Sequence, residues 1–169
     1  MPPTKPAPSR NILIAVDPSP DSEKAVAWAL KNHIRPSDRV TLLNVRPIVE
    51  SGPGLFAAYA DSTVSAEAMA EVDRVIEKHN AGVRRRFVSN LSQQLDQAKV
   101  QYDIVAVQDA DPRERICSEV ERIKAHTLVM GSRGLSAVKR LVLGSVSDYC
   151  VNHASCPVIV VRPKQSEIA

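Results

Sequence analysis

A chain of 169 residues with a net charge of +3 fits one domain, large enough to bury a substantial core. Aromatic residues make up only 4%, so the core must be built from Val, Ile, Leu and Ala, and a base-stacking surface for single-stranded nucleic acid is not expected. No apolar run approaches the length of a membrane span, and "MPPTKPAPSR" has no apolar core, so neither a membrane partner nor a secretory signal is expected.

Residues 1–9 are rich in proline and read as a disordered tail; the folded domain is expected over 10–163, and 164–169 as a flexible tail. "NILIAV" (11–16) is a continuous apolar run of strand length that stops at Asp17-Pro18. Ser19 then caps a helix with Pro20 at its first position, and Val26, Ala29, Leu30 and His33 share one face. Pro36-Ser37-Asp38 breaks it, and "RVTLLNV" (39–45) is a second strand. The segment from Pro47 to about Ser65 reads as a long loop. From Ser65 to Ala98 the pattern is helical, with Val72, Ile76, Val83, Phe87, Leu91 and Leu95 as an apolar stripe and Asn80-Ala81-Gly82 as a candidate interruption. Arg84, Arg85 and Arg86 read as a solvated helix face.

"YDIVAVQ" (102–108) is a third strand. Asp111 caps a helix over 111–124 with Pro112 at its first position and Ile116, Val120 and Ile123 on one face. "HTLVMG" (126–131) is a fourth strand, "SVSDYCVNHA" (145–154) a short helix with Val146, Tyr149 and His153 on one face, and "PVIVVRP" (157–163) a fifth strand. Regular alternation of strands and helices predicts an α/β domain: a doubly wound parallel sheet with helices on both faces. In such sheets ligands bind outside the carboxyl ends of the strands, where strand order reverses. Asp17, Val45 and Gly131 all stand at strand C-termini.

Three of the six glycines lie in "MGSRGLSAVKRLVLGSVSDYC" (130–150). Gly131 and Gly134 on the loop after the fourth strand let backbone N–H groups face a ligand; Gly144-Ser145 opens a helix whose first N–H groups lack internal partners. Between them lie Arg133, Lys139 and Arg140, and Ser145 and Ser147 add hydroxyls. The combination suits a polyphosphate. It is neither a Walker sequence nor GxGxxG. Surface loops also carry glycine for turns alone, and Asp17 reads either as a turn residue before Pro18 or as an acceptor for ribose or adenine.

Gly131-x-x-Gly134, nine residues, then Gly144-Ser145 resembles the nucleotide motif of the ATP-binding branch of the universal stress protein family. The likeness runs from "ILIAVDPSPDSEKAVAWAL" through "LVMGSRG" to "GSVSDYCVNHASCPVIVV", and the ending is similar to plant members. The resemblance implies a five-stranded sheet of order 3-2-1-4-5 and an adenine nucleotide, ATP or AMP, with Mg²⁺ accompanying ATP. It places Asp17 on the ribose and adenine side, Val45 and Met130 at the base, and Gly131, Arg133, Gly134, Gly144, Ser145, Val146 and Ser147 around the phosphates. It also implies a homodimer through the last strand, Pro157–Val161. Some plant relatives carry a Ser-Pro phosphorylation site in the N-terminal tail; here the tail has Ser9-Arg10, and the one Ser-Pro pair is Ser19-Pro20.

Three cysteines, Cys117, Cys150 and Cys156, describe neither a disulfide framework nor a zinc site and read as buried free thiols in a reducing, cytoplasmic setting. No residue stands out as nucleophile or general base, so a nucleotide-dependent switch or sensor in the stress response is expected. A slow ATPase and a chaperone-like protein with a vestigial pocket are the alternatives.

Overall fold

A computed structural model describes residues 9–48, 66–134 and 143–162. The expected tails, most of the 47–65 loop, and Lys139 and Arg140 lie outside the described residues. Strand β1 (Asn11–Ala15) leads to helix α1 (Pro20–Asn32), β2 (Arg39–Pro47), α2 (Ala66–Gln97), β3 (Gln101–Asp109), α3 (Pro112–Arg122), β4 (Thr127–Gly131), α4 (Ser145–His153) and β5 (Val158–Val161). All four pairings are parallel and the order is β3-β2-β1-β4-β5. The chain winds outward from β1 to β3, then returns to the other side of β1 with β4 and β5.

The central strands read as apolar runs because both of their faces are covered. Ile12, Ile14, Val16, Val40, Leu42 and Val129 turn to one face and pack with Val26 and Ala29 of α1 and Phe87, Leu91 and Leu95 of α2. Leu13, Ala15, Leu43, Leu128 and Met130 turn to the other and pack with Ile116 and Val120 of α3 and Cys150 of α4. Side chains alternate across a strand, so one unbroken run supplies two cores.

Helix starts follow the local signals. The Ser19 hydroxyl accepts from the Ser22 N–H, and Asp111 accepts from the Arg113 N–H at 2.8 Å, each just before a proline in the first turn. Hydrogen bonds from the Arg113 guanidinium hold the Asp111 carboxyl down at about 2.

Three helix expectations change. Helix α2 runs through Asn80-Ala81-Gly82 without a break; a Cβ on Gly82 would meet nothing within 4 Å, so this glycine answers no packing need. Its 32 residues span about 48 Å at 1.5 Å per residue, longer than any strand beneath it. Among the described side chains, Phe87 is the first of α2 in the core, and Val83, expected on the buried stripe, is 42% exposed. The side chains of Val72 and Ile76 lie outside the described residues. Arg85 and Arg86 are exposed and Arg84 is half-buried. In α4 the fully buried residues are Ser147 and Cys150; of the expected stripe, Val146 is partly buried against the α3/α4 core and Tyr149 is half-buried. His153 is exposed and its ring stacks on Tyr149 at 4.0 Å, with Arg113 over the other ring at 5.3 Å. Helix α1 ends at Asn32, before Pro36, with His33 as C-cap.

All three cysteines are free. Cys150 is fully buried and burial pushes its thiol up to about 12; Cys117 and Cys156 are half-buried, so only one matches the fully buried expectation.

At the amino ends of the strands, Asp38 is buried and receives Arg10 Nε at 3.0 Å, Arg10 Nη2 at 2.6 Å and the Arg35 N–H at 2.8 Å. Burial pushes this carboxyl up, but the hydrogen bonds from Arg10 and Arg35 outweigh it and hold it below its ordinary value. His33 beside them is lowered, by burial first and then by the charge of Arg10, against the opposite pull of Asp38. Both groups therefore favour the fold above their ordinary pKa values, and both contributions are lost as acid protonates them. Asp38→Ala should destabilise the domain by about 2 kcal/mol at pH 7, because it strands a partly buried guanidinium. Urea unfolding at pH 7 and pH 3 checks this: the gap between wild type and variant should narrow at pH 3, because the carboxylate's advantage begins to fall once pH drops below its ordinary value and is lost as pH falls through the lowered folded-state value.

Candidate functional site

The reversal of strand order falls between β1 and β4. Ala15 lies opposite Met130 on one side and Leu43 on the other, so the chain leaves β1 at Val16-Asp17 beside the point where it leaves β4 at Gly131-Ser132. This is the position where doubly wound sheets open a crevice.

The Asp17 side of the crevice is a hydroxyl network. Ser19 and Ser22 both donate to Asp17 Oδ1, Ser22 at 2.6 Å, and the Asp17 N–H donates to Ser22 Oγ at 3.0 Å. Ser19 and Ser22 are buried, and Asp17 itself is half-buried. The first turn of α1 thus fixes the carboxylate before any ligand is considered.

Opposite it, the loop leaving β4 is drawn against α1 and α4. A Cβ on Gly131 would fall 2.9 Å from the Asp21 carbonyl carbon, and one on Gly134 would fall 2.6 Å from Asp17 Oδ2. At Gly144 the neighbours would be Ser132 O at 3.3 Å and Arg133 Cα at 3.5 Å. None of the described glycines has positive φ. Close approach, not left-handed backbone, is what requires glycine at 131 and 134.

Buried Ser132 is the hub of this loop. Its carbonyl accepts from the Gly144 N–H at 2.8 Å and from the Ser147 hydroxyl at 3.1 Å, its N–H donates to Val161 O at 3.0 Å, and its hydroxyl donates to Asp21 Oδ2 at 3.0 Å. These bonds seat the start of α4 directly on the loop. Gly144 is the N-cap of α4 and supplies no side-chain cap; the first intrahelical bond runs from the Asp148 N–H to Gly144 O. The N–H groups of Ser145, Val146 and Ser147 therefore have no intrahelical acceptor, and the helix dipole adds positive potential at the same place.

The structure brings Asp17, Gly131, Arg133, Gly134, Gly144, Ser145, Val146 and Ser147 to this end of the sheet. Val45 is half-buried at the carboxyl end of β2, and Met130 is buried in the α3/α4 core. Ser145 is exposed, whereas the Ser147 hydroxyl is engaged with Ser132 O and Gly144 O. Arg133 lies with its Nε 3.5 Å from Asp21 Oδ2. Sequence reading missed Asp21, Ser22 and Ser132. The first two read only as the opening turn of a helix and the third as a spacer between glycines, and nothing local announces that Asp21 and Ser132, 111 residues apart, are bonded.

The chemistry offered is recognition. Backbone N–H groups and a helix terminus suit an anion, and a fixed carboxylate suits hydroxyl or amino donors. Among the described residues no group of three or more His, Cys, Asp or Glu could hold a metal ion, and no helix is long and apolar enough to cross a membrane. The four histidines lie elsewhere: His33 after α1, His79 within α2, His126 before β4 and His153 at the end of α4.

Comparison with known proteins agrees with this architecture. The chain matches the universal stress protein family over residues 8–162. It is 39% identical over 161 residues to universal stress protein PHOS34 of Arabidopsis thaliana, covering 90% of this chain and 62% of that one. It is 40% identical over 157 residues to PHOS32 of the same plant, covering 90% and 64%. The chain thus spans less than two thirds of the length of either relative. Among solved structures, a universal stress protein family protein from Arabidopsis thaliana with AMP bound superposes with a TM-score of 0.62 at 23% identity, covering 95% of each chain. A universal stress protein in complex with cAMP gives 0.58 at 18% identity, covering 92% of this chain and 98% of that one. Those identities speak to the fold, and the fold is the one built above from the strand order. With the match running across nearly the whole chain and two plant relatives near 40% identity, the chain belongs to the universal stress protein family.

Proposed function

We propose that this protein binds an adenine nucleotide, ATP or AMP, in the crevice between β1 and β4, and works as a nucleotide-dependent switch in a stress response. One observation carries the reading: the glycine loop 131–134 and the uncapped start of α4 are locked together through Ser132, directly facing Asp17. In this reading the N–H groups of Ser145, Val146 and Ser147, with Gly131, Gly134, Gly144 and the Ser145 hydroxyl, receive the phosphates. Asp17 accepts from the ribose or the base, and Val45 and Met130 border the adenine. Arg133, on this loop, supplies a cationic side chain. That relatives with this fold have been captured with AMP and with cAMP supports an adenine nucleotide as the occupant. Mg²⁺ would arrive bound to ATP, since the described residues offer no metal cluster of their own. The cytoplasm, where free thiols persist, is the compartment this chemistry suits.

Adenine nucleotides should raise the melting temperature, because a ligand at 100 times its Kd adds about 2.7 kcal/mol to the folded state. Gly144→Val should abolish the shift while leaving the circular dichroism spectrum folded: its side chain would crowd Ser132 O and Arg133 and cover the helix start. Asp17→Ala should weaken adenosine as well as ATP. An ATP shift that survives in folded Gly144→Val would refute the site.

Turnover should be slow. No histidine borders the crevice among the described residues, and the Asp17 carboxylate is already engaged by two serine hydroxyls. Positioning and charge stabilisation without an activated water give little hydrolysis. Single-turnover assays with labelled ATP should give on the order of one event per minute or less, against about 1 to 1000 per second for ordinary enzymes. A rate above about one per second that Gly144→Val removes would make the protein an ATPase.

The same proposal includes a homodimer through β5. This strand is a sheet edge whose four residues are half-buried, and pairing with a second copy would cover its open backbone groups. Sedimentation should give a dimer at micromolar concentration for wild type and a shift toward monomer for Val158→Pro, which removes one ladder donor.

A further inference from the structure

Asp21 is a second carboxylate at the crevice, and neither helix capping nor ligand recognition accounts for how it is held. It stands in the first turn of α1, four residues after Asp17. Its backbone is so close to β4 that Gly131 can carry no side chain. Its Oδ2 accepts from the Ser132 hydroxyl at 3.0 Å and faces Arg133 Nε at 3.5 Å. Both members of the ion pair are mostly buried, with side chains 18% and 15% exposed for Arg133 and Asp21. The Arg133 backbone meanwhile lies against Gly144, at the helix start where an anion would sit.

The pair has an unusual position for a structural salt bridge. It holds the loop's cation by a carboxylate at the edge of a site otherwise built to attract negative charge. A phosphate group arriving at the start of α4 competes with Asp21 for the same guanidinium, and its oxygens are at least as good an acceptor. The exchange moves one side chain and leaves the Ser132–Asp21 hydrogen bond in place.

We infer that Asp21 is a positioning residue that restrains Arg133 in the empty site, so that phosphate binding requires Arg133 to leave Asp21 for a phosphate oxygen. The inference rests on the nucleotide reading above and adds to it a determinant of affinity for the phosphate chain. The restraint acts only on the phosphate side, so adenosine should be indifferent to it. It also acts through Arg133, so it should vanish when Arg133 is absent.

Calorimetric titration of ATP and adenosine into wild type, Asp21→Asn, Arg133→Gln and the double variant tests this. The asparagine keeps an acceptor for Ser132 and removes the charge, so the fold should hold; Asp21→Ser serves if it does not. ATP should bind about fivefold tighter to Asp21→Asn than to wild type, which is the scale of one partly exposed ion pair. Adenosine should bind both equally, and Asp21→Asn should gain nothing for ATP in the Arg133→Gln background. An unchanged ATP affinity in a folded variant overturns the inference. So does a gain that adenosine shares, or one that persists without Arg133, since simple loss of repulsion would produce the latter. If neither ligand binds wild type or Asp21→Asn, the nucleotide reading itself falls and takes the restraint with it.

Discussion

Strand β4 can lie beside β1 under helix α1 only if its last residue has no side chain. A Cβ on Gly131 would come within 2.9 Å of the Asp21 backbone, closer than packed atoms tolerate. That one contact sets the separation between the start of α1 and the end of β4, and hence the width of the crevice at the reversal point. It also brings Ser132 within reach of Asp21, Val161 and Gly144 at once. A larger residue at 131 would push the loop outward, and the start of α4, which is seated on Ser132 O, would move with it.

The polar interior of the crevice is consistent with that geometry. Ser19, Ser22, Ser132 and Ser147 are all buried, and each hydroxyl has a partner: Asp17 for the first two, Asp21 for the third, and loop carbonyls for the fourth. Buried hydroxyls without partners would cost more than they contribute, so a network this complete indicates a rigid wall. What remains open is backbone: the first N–H groups of α4. Rigid donors that need no rearrangement are the kind that bind anions with little entropic loss.

The fold was legible in the sequence because its signals are local and redundant. Five apolar runs, two proline-marked helix starts and a serine and an aspartate cap name most of the elements, and each lies within two residues of the observed bounds, the largest differences falling at β2, which continues to Pro47, α3, which stops at Arg122, and β5, which stops at Val161. The motif glycines are legible as openings for a ligand, and a further constraint that the sequence does not signal falls on two of them: a side chain on Gly131 would meet α1 and one on Gly134 would meet Asp17. Helix faces were less legible. In α4 the stripe of Val146, Tyr149 and His153 holds only in part: Val146 packs on the core and His153 is exposed, while the fully buried positions are Ser147 and Cys150, with the Ser147 hydroxyl donating to the Ser132 carbonyl. Val83 misled in the same way: periodicity shows which face of a helix is apolar, not how far along the helix the sheet extends. The Asp21–Ser132 bond had no local signal at all, because it is a product of the parallel pairing of β1 with β4.

The sheet also separates two kinds of polar machinery by the length of a strand. Arg10, His33, Asp38 and the Asn11–His126 hydrogen bond occupy the amino ends, while Asp17, Asp21, Ser132 and Gly144 occupy the carboxyl ends. The five residues of β1 put about 17 Å between the two groups, and the layers between are mostly apolar, with buried Thr41 and Asn44 on β2 among them. Over that distance, charges near the protein surface are strongly screened and substitutions become nearly additive. The part of the acid sensitivity that enters through Asp38 and His33 is therefore physically distinct from the charge balance of the crevice, which is set by Asp17, Asp21, Arg133 and the α4 dipole; Asp111 and Glu119, whose carboxyls are also held low, add to that sensitivity elsewhere. The crevice can carry two carboxylates next to an anion-attracting helix end because each is held by local hydroxyl donors, Asp17 by Ser19 and Ser22 and Asp21 by Ser132, independently of the Arg10–Asp38 pair at the opposite end of the same strands.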